Sequence, residues 1–274
     1  MSTPSQSTSH YTNTHLSNLN PHARDARILF DEPTHVYTID GDSNYTSVTT
    51  WNHTHFTPFD ADAIIRSMRA GRKWGPGNKY FGQTDEQIKQ GWEDNRDAAA
   101  NAGTAMHFNI ECFYNHHPVV NDSVEYGYFL NFVADFPELT AHRTEWTVFH
   151  TELRIAGSID MVFAKPDGTY AIYDWKRSRE ISKGASFGRF ANKECIEHLP
   201  DSNYWHYCLQ LNTYKALLEA SYGIVISEMY LVCLHPDNKN GNYLRIRVVD
   251  LTEEVSELFR LRRAEMKAIQ RVSN

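Results

Sequence analysis

Between residues 144 and 177 the apolar pattern of this 274-residue chain leaves the helical period and alternates, three times in succession. Residues 144–150, 153–164 and 170–177 read as three consecutive antiparallel strands, with Pro166-Asp167-Gly168 supplying the second turn. Helical periodicity brackets the run. Helices are expected over 92–114 and 124–136 before it and over 203–222 after it, the last with apolar residues at 204, 207, 208, 211, 214, 218 and 222. Strands at 228–235 and 243–249 and a charged amphipathic helix at 251–272 complete the chain. The order helix, three strands, helix, strand implies one α/β domain with a mixed central sheet flanked by helices, α-β-β-β-α-β.

Residues 1–25 are Ser, Thr, Asn and His with almost no aliphatic side chains. Such a composition cannot offset its ordering entropy, so a disordered tail is expected there, followed by one domain over 26–274 with its core at about 92–250. The tail has no apolar stretch of a secretory signal. Alternation at 35–39 and 45–48 around Gly41-Asp42 predicts an N-terminal β-hairpin. A helix is expected over 60–69 with Asp60 as its N-cap, and the Gly-rich stretch 71–82 reads as a loop.

Lys plus Arg is 27 against 34 Asp plus Glu, a net charge of −7, so an anionic partner must meet a local positive patch. No apolar run reaches the length of a membrane span. The four cysteines stand far apart with no C-x-x-C pair, which argues against a disulfide framework and predicts an intracellular chain with reduced thiols.

The chemistry concentrates in Gly157-Ser158-Ile159-Asp160 and Asp174-Trp175-Lys176. Asp160 and Asp174 lie 14 residues apart across one turn, and cross-strand neighbours stand about 5 Å apart. Lys176, two residues beyond Asp174, shares its face. Two carboxylates and an ammonium beside a sheet suit metal-assisted phosphodiester hydrolysis, the carboxylates holding Mg²⁺ or Mn²⁺. Taken alone, the same pair is also what a surface ion pair at a sheet edge looks like. Three acid-x-Lys triplets occur in the chain, but those at 237 and 265 fall in a turn and on the last helix. Gly103, His107 and Glu111 form a stripe at i, i+4 and i+8, and the mid-helix glycine suggests close approach by a backbone or ligand. Gln210 and Tyr214 repeat the i, i+4 spacing on the later helix.

Gly-Thr-x-x-His at 103–107, Gly-x-x-Asp at 157–160, Asp-x-Lys at 174–176 and Gln-x-x-x-Tyr at 210–214, in this order on these elements, resemble the RecB-like branch of the PD-(D/E)XK nuclease superfamily, which includes mitochondrial genome maintenance exonucleases and viral and phage relatives. The resemblance covers about residues 100–235 and implies a restriction-endonuclease-like core. It implies His107, Asp160, Asp174 and the carbonyl of Trp175 as ligands of Mg²⁺ or Mn²⁺ and Lys176 as the catalytic lysine. Gln210 and Tyr214 would orient the site and the DNA, and Glu145 occupies an acidic position of this branch. The cysteine sets that hold iron–sulfur clusters in several relatives are lacking, so no iron–sulfur cluster is expected. Without a Walker A motif, no ATP-driven motor is expected.

Basic residues with interleaved aromatics flank this segment: Arg72, Lys73 and Lys79 on one side, and Arg177, Arg179, Lys183 and Arg189 on the other. They point to DNA, single-stranded or with free ends, whose bases stack on rings. The expected activity is a metal-dependent deoxyribonuclease, an exonuclease on single strands or ends. A structure- or sequence-specific endonuclease and an inactive nucleic-acid-binding module are the alternatives.

Overall fold

The computed structural model describes residues 13–185 and 188–273. A β-sheet divides two helical layers. Strands β3 (Thr46–Ser47), β4 (Thr140–His150), β5 (Ile155–Ala164), β6 (Tyr170–Lys176), β7 (Ile226–Cys233) and β8 (Leu244–Arg247) form it, in the order β3-β5-β6-β7-β8 with β4 also on β5. The pairings β4–β5, β5–β6 and β7–β8 are antiparallel, and β3–β5 and β6–β7 are parallel. A parallel β6–β7 pair needs a crossover, and α6 (Asn203–Ser221) supplies it.

On one face α4 (Asp85–Tyr114) and α5 (Val124–Asp135) bury Met106, Ile110, Phe129 and Phe132 against Met161, Phe163, Tyr173 and Trp175. On the other, α2 (Val48–His53), α6 and α7 (Thr252–Ser273) pack Trp51, Leu211, Leu218, Leu258 and Phe259 against Val162, Ile172 and Leu231. Residues 173 and 175 of β6 therefore face α4 and α5, while 172 faces α6. The even face also carries Asp174 and Lys176.

The helix starts follow local chemistry. Asp60 caps α3 (Ala61–Ala70) by accepting from the Ala63 N–H at 2.9 Å. Thr84 and Gln87 form a reciprocal capping box that starts α4 at Asp85, two turns before the apolar periodicity begins. No helix among the described residues is long and apolar enough to cross a membrane.

Two N-terminal expectations are corrected. Residues 13–25 of the expected disordered tail belong to the fold, while residues 1–12 lie outside the described residues. Helix α1 (His15–Leu19) buries Leu16, whose N–H donates to Asn115 Oδ1 at 3.1 Å. Asp25 accepts from Arg143 and from Trp146 Nε1. Side-chain hydrogen bonds and one leucine thus replace the apolar content that composition lacked. The hairpin exists, but its strands are β1 (Ile28–Asp31) and β2 (Val36–Ile39). Thr46–Ser47 leaves it to run parallel to β5, because that pairing seats Val48 and Trp51 in the core.

Candidate metal centre

The centre opens where the sheet splits. Strand β4 covers the whole of one edge of β5, from Thr140 opposite Ala164 to His150 opposite Ile155. The other edge is shared. Strand β3 takes Ile155 and Ala156, β6 takes Met161 to Ala164, and residues 157–160 have no strand partner there. The unpartnered stretch is the Gly-Ser-Ile-Asp motif. Beyond Tyr173, β6 leaves β5 and follows β7 to Lys176. The Trp175 N–H, released from the β5 ladder, donates to Asp160 Oδ2 at 2.9 Å. Asp160 thereby closes the top of the split with its side chain.

Three side chains converge on it. His107 Nδ1, on α4, stands 3.6 Å from Glu145 Oε1 and 3.6 Å from Asp160 Oδ2. One donor atom from each of the three residues lies within 4.8 Å of the others. A 3.6 Å spacing is long for a hydrogen bond and lies within the reach of one small cation, since Mg²⁺ holds oxygens about 2.1 Å away. Imidazole with two carboxylates is also a donor set suited to Mn²⁺. The residues present therefore fit a divalent cation. The other imidazole nitrogen, Nε2, donates to the Trp175 carbonyl at 2.9 Å, which fixes Nδ1 toward the carboxylates.

Glu145 reaches the cluster through an unusual backbone. Its neighbours Thr144 and Trp146 stand opposite Met161 and Ile159, which sets it beside Asp160 across the ladder. Its φ is +41°, a left-handed conformation inside a strand. Strain of this kind, of order 1–3 kcal/mol, persists where the surroundings hold it. Here Ser158 Oγ donates to Glu145 Oε2 at 2.8 Å.

Lys176 Nζ lies 2.7 Å from Asp174 Oδ2 and 4.5 Å above the Tyr207 ring of α6. Burial pushes the Asp174 carboxyl up to about 6, with Lys176 pulling against it. Burial also raises Asp160, helped by Glu145 and opposed by His107 and Lys176. For Lys176 burial works to lower the pKa, but Asp174 and Asp160 outweigh it and raise it, so the ammonium stays charged. Burial likewise works against a charged His107, yet Asp160 and Glu145 raise its pKa to about 9.

Tyr214 supports the split from the α6 side. A Cβ placed on Gly157 would stand 2.8 Å from both Cε1 and the hydroxyl of Tyr214, so only glycine admits the ring there. This contact ties the Gly-x-x-Asp motif to the Gln-x-x-x-Tyr motif. The Tyr214 hydroxyl interacts with Gln210, and Gln210 Nε2 stands 3.5 Å from Thr49 Oγ1.

The sequence expectation therefore divides. His107, Asp160 and Glu145 come together. Asp174, expected as a ligand, lies with Oδ2 2.7 Å from the Lys176 ammonium. The Trp175 carbonyl, also expected as a ligand, accepts from His107. An added Cβ on Gly103 would meet nothing within 4 Å among the described residues, so no contact there accounts for the glycine. Glu111 is raised to about 7, by burial first and then by Glu145. Ser158 and Tyr207 were missed. Their signal was adjacency to the motifs, Ser158 between Gly157 and Asp160, and Tyr207 three residues before Gln210.

The expected nucleic-acid contacts also divide. Arg72, Lys73 and Arg189 line one groove. Lys79 lies over the Tyr80 ring and Lys183 over Tyr204. Arg179 is exposed, 3.6 Å from Asp237. Arg177 is held by Glu125 of α5 at 2.7 Å, away from the Lys176 face.

No protein-family profile matches the chain, and no curated protein matches it. Among solved structures, the crystal structure of SSO0001 aligns with 84% of this chain and 77% of its own at 14% identity and a TM-score of 0.34, a likeness too slight to bear on fold or function.

Proposed function

We propose that this protein is a divalent-metal-dependent deoxyribonuclease that hydrolyses phosphodiester bonds, acting as an exonuclease on single strands or DNA ends. The observation that carries the reading is the convergence of His107 Nδ1, Glu145 and Asp160 beside a buried Lys176–Asp174 pair. His107, Glu145 and Asp160 are the residues that would hold Mg²⁺ or Mn²⁺. When bound, the ion supplies Lewis acidity toward a phosphoryl oxygen and acidifies a water.

The protein's own groups do the rest. Lys176 brings a fixed positive charge and hydrogen-bond donors to the attacking oxygen and the phosphoryl oxygens. Asp174 and the Tyr207 ring hold that ammonium in place. The new P–O bond forms from water, the P–O bond to the leaving oxygen breaks, and the water's protons pass to solvent and to the leaving group. The Trp175 N–H and carbonyl orient Asp160 and His107 in turn, so one peptide sets two of the three donors.

Cleavage of end-labelled linear and closed circular single-stranded DNA, with Mg²⁺, Mn²⁺ or EDTA, tests the reading. Metal-dependent loss of the linear strand alone, absent in Lys176→Met, is the expected result. Cutting of the circle would make the protein an endonuclease. Cutting by the Lys176→Met protein would overturn the assignment of the site.

A further inference from the structure

The N-terminal hairpin lies outside the residues that carry the sequence motifs, yet it borders the metal centre. Strand β2 alternates, with Tyr37 and Ile39 buried. With Ile28 of β1 they pack on Phe149 of β4 and Ala156 of β5, which stand opposite each other in the ladder. Ser158 follows Ala156 by two residues on β5 and so shares its face. It belongs to the stretch 157–160 that no strand partners on one edge. The Tyr37 ring is 7% exposed and stacks on Phe30 at 4.4 Å between centroids. Its hydroxyl takes a backbone hydrogen bond from Ser158. Tyr37 meets Ser158 from the hairpin side, and Tyr214 fills the space at Gly157 from the α6 side.

Ser158 is also the residue that holds Glu145. Its Oγ donates to Glu145 Oε2 at 2.8 Å, while Oε1 stands 3.6 Å from His107 Nδ1. Glutamate has several free torsions, and the backbone of this one is left-handed at φ +41°. The direction of its carboxylate therefore depends on what grips it. Among the hydrogen bonds of the described residues, the grip is one serine hydroxyl, and that serine's backbone rests on Tyr37. Partners one step removed from a metal commonly set the orientation of its ligands in this way.

We propose that Tyr37 is a positioning residue of the metal centre: through Ser158 it fixes the Glu145 carboxylate, which makes the N-terminal hairpin a working part of the site. The proposal rests on the reading of His107, Glu145 and Asp160 as the donors to a divalent cation.

Calorimetric titration of the metal-free full chain with Mn²⁺ alone tests it, with no reaction required. Ser158→Ala is expected to weaken Mn²⁺ binding about ten-fold, the low end of what losing such a partner costs. Ser158→Thr keeps the hydroxyl and should stay within about three-fold of the wild type. Tyr37→Phe keeps the stacked ring, loses only the hydroxyl, and should weaken binding by about three-fold or more. The double variant Tyr37→Phe/Ser158→Ala should bind no more weakly than Ser158→Ala, because Tyr37 acts through that serine. A purely structural tyrosine would lower the melting temperature of the metal-free protein and leave the Mn²⁺ affinity of the folded protein unchanged. That result, or losses that add in the double variant, would overturn the proposal. Ser158→Ala binding Mn²⁺ like the wild type would overturn it whatever Tyr37→Phe does. A wild type that binds no Mn²⁺ would remove the metal reading and this proposal with it, whereas wild-type binding that Glu145→Gln weakens and Tyr37→Phe does not would remove the proposal alone.

Discussion

His107 donates through Nε2 to the Trp175 carbonyl at 2.9 Å, and this contact decides which imidazole nitrogen faces Glu145 and Asp160. It makes the proposed metal site depend on three elements at once: α4, β4 and the split between β5 and β6. Asp160→Asn keeps an oxygen to accept from the Trp175 N–H but loses the charge. The variant is therefore expected to melt at or above the wild type without metal, since burial disfavours the ionised carboxylate. Mn²⁺ at 100 times its Kd should stabilise the wild type by about 2.7 kcal/mol and leave Asp160→Asn nearly unmoved. A thermal-shift series in Mn²⁺ checks both, and a full shift in the variant would remove Asp160 from the ligand set.

Lys176 and Asp174 are a buried pair, and breaking one partner differs from removing both. Lys176→Met leaves a carboxylate buried with its counter-ion gone and should destabilise the protein by about 3–5 kcal/mol. Lys176→Met/Asp174→Asn should recover most of that loss in urea unfolding, because no uncompensated charge remains. Neither variant should cleave DNA. Recovered cleavage in the double variant would show that Lys176 acts structurally only.

The central strands and the large helices were legible because each has a strong local period and a clear stop. Asp60 and Pro166-Asp167-Gly168 are such signals. What was not legible depends on partners far along the chain. Thr46–Ser47 is only two residues long and becomes a strand through Ile155 and Ala156. Helix α1 has a single buried apolar residue, and its anchor is Asn115, 99 residues away. The site shows the same division. Spacing placed Asp160, Asp174 and Lys176 at one end of the sheet. It could not show that Lys176 claims Asp174, nor that a left-handed backbone at Glu145 delivers the second carboxylate.

Gly157 and Tyr214 are a matched pair. Gly157→Ala places a methyl 2.8 Å from the Tyr214 ring and hydroxyl, and the neighbours are a buried ring on α6 rather than a flexible chain. Overpacking of this kind costs about 1–3 kcal/mol. Tyr214→Leu in the same background should return part of the loss, because the ring no longer blocks the methyl. The interaction is read from a double-mutant cycle in urea. Additive losses in the two single variants and their combination would mean that the contact is not what requires glycine.

His55 sets part of the acid limit of stability. It is 3% exposed, its ring meets Trp51 edge-on at 4.7 Å, and neither ring nitrogen has a hydrogen-bond partner among the described residues. Burial, with Lys193 and Arg262 adding to it, holds its pKa near 4 against an ordinary 6.5. Between these values the unfolded chain takes up a proton that the native state refuses. Stability is then complete above pH 6.5 and falls as the pH drops toward 4, by up to about 3 kcal/mol for this residue. His55→Phe keeps the edge-on ring contact and removes the titration. Its unfolding free energy should decline less than that of the wild type between pH 7 and 5. His142, held near 4 chiefly by burial, retains its own share of the slope in the variant. Urea unfolding at pH 7, 6 and 5 measures both proteins, and parallel declines would show that His55 takes up protons in the native state as readily as in the unfolded one.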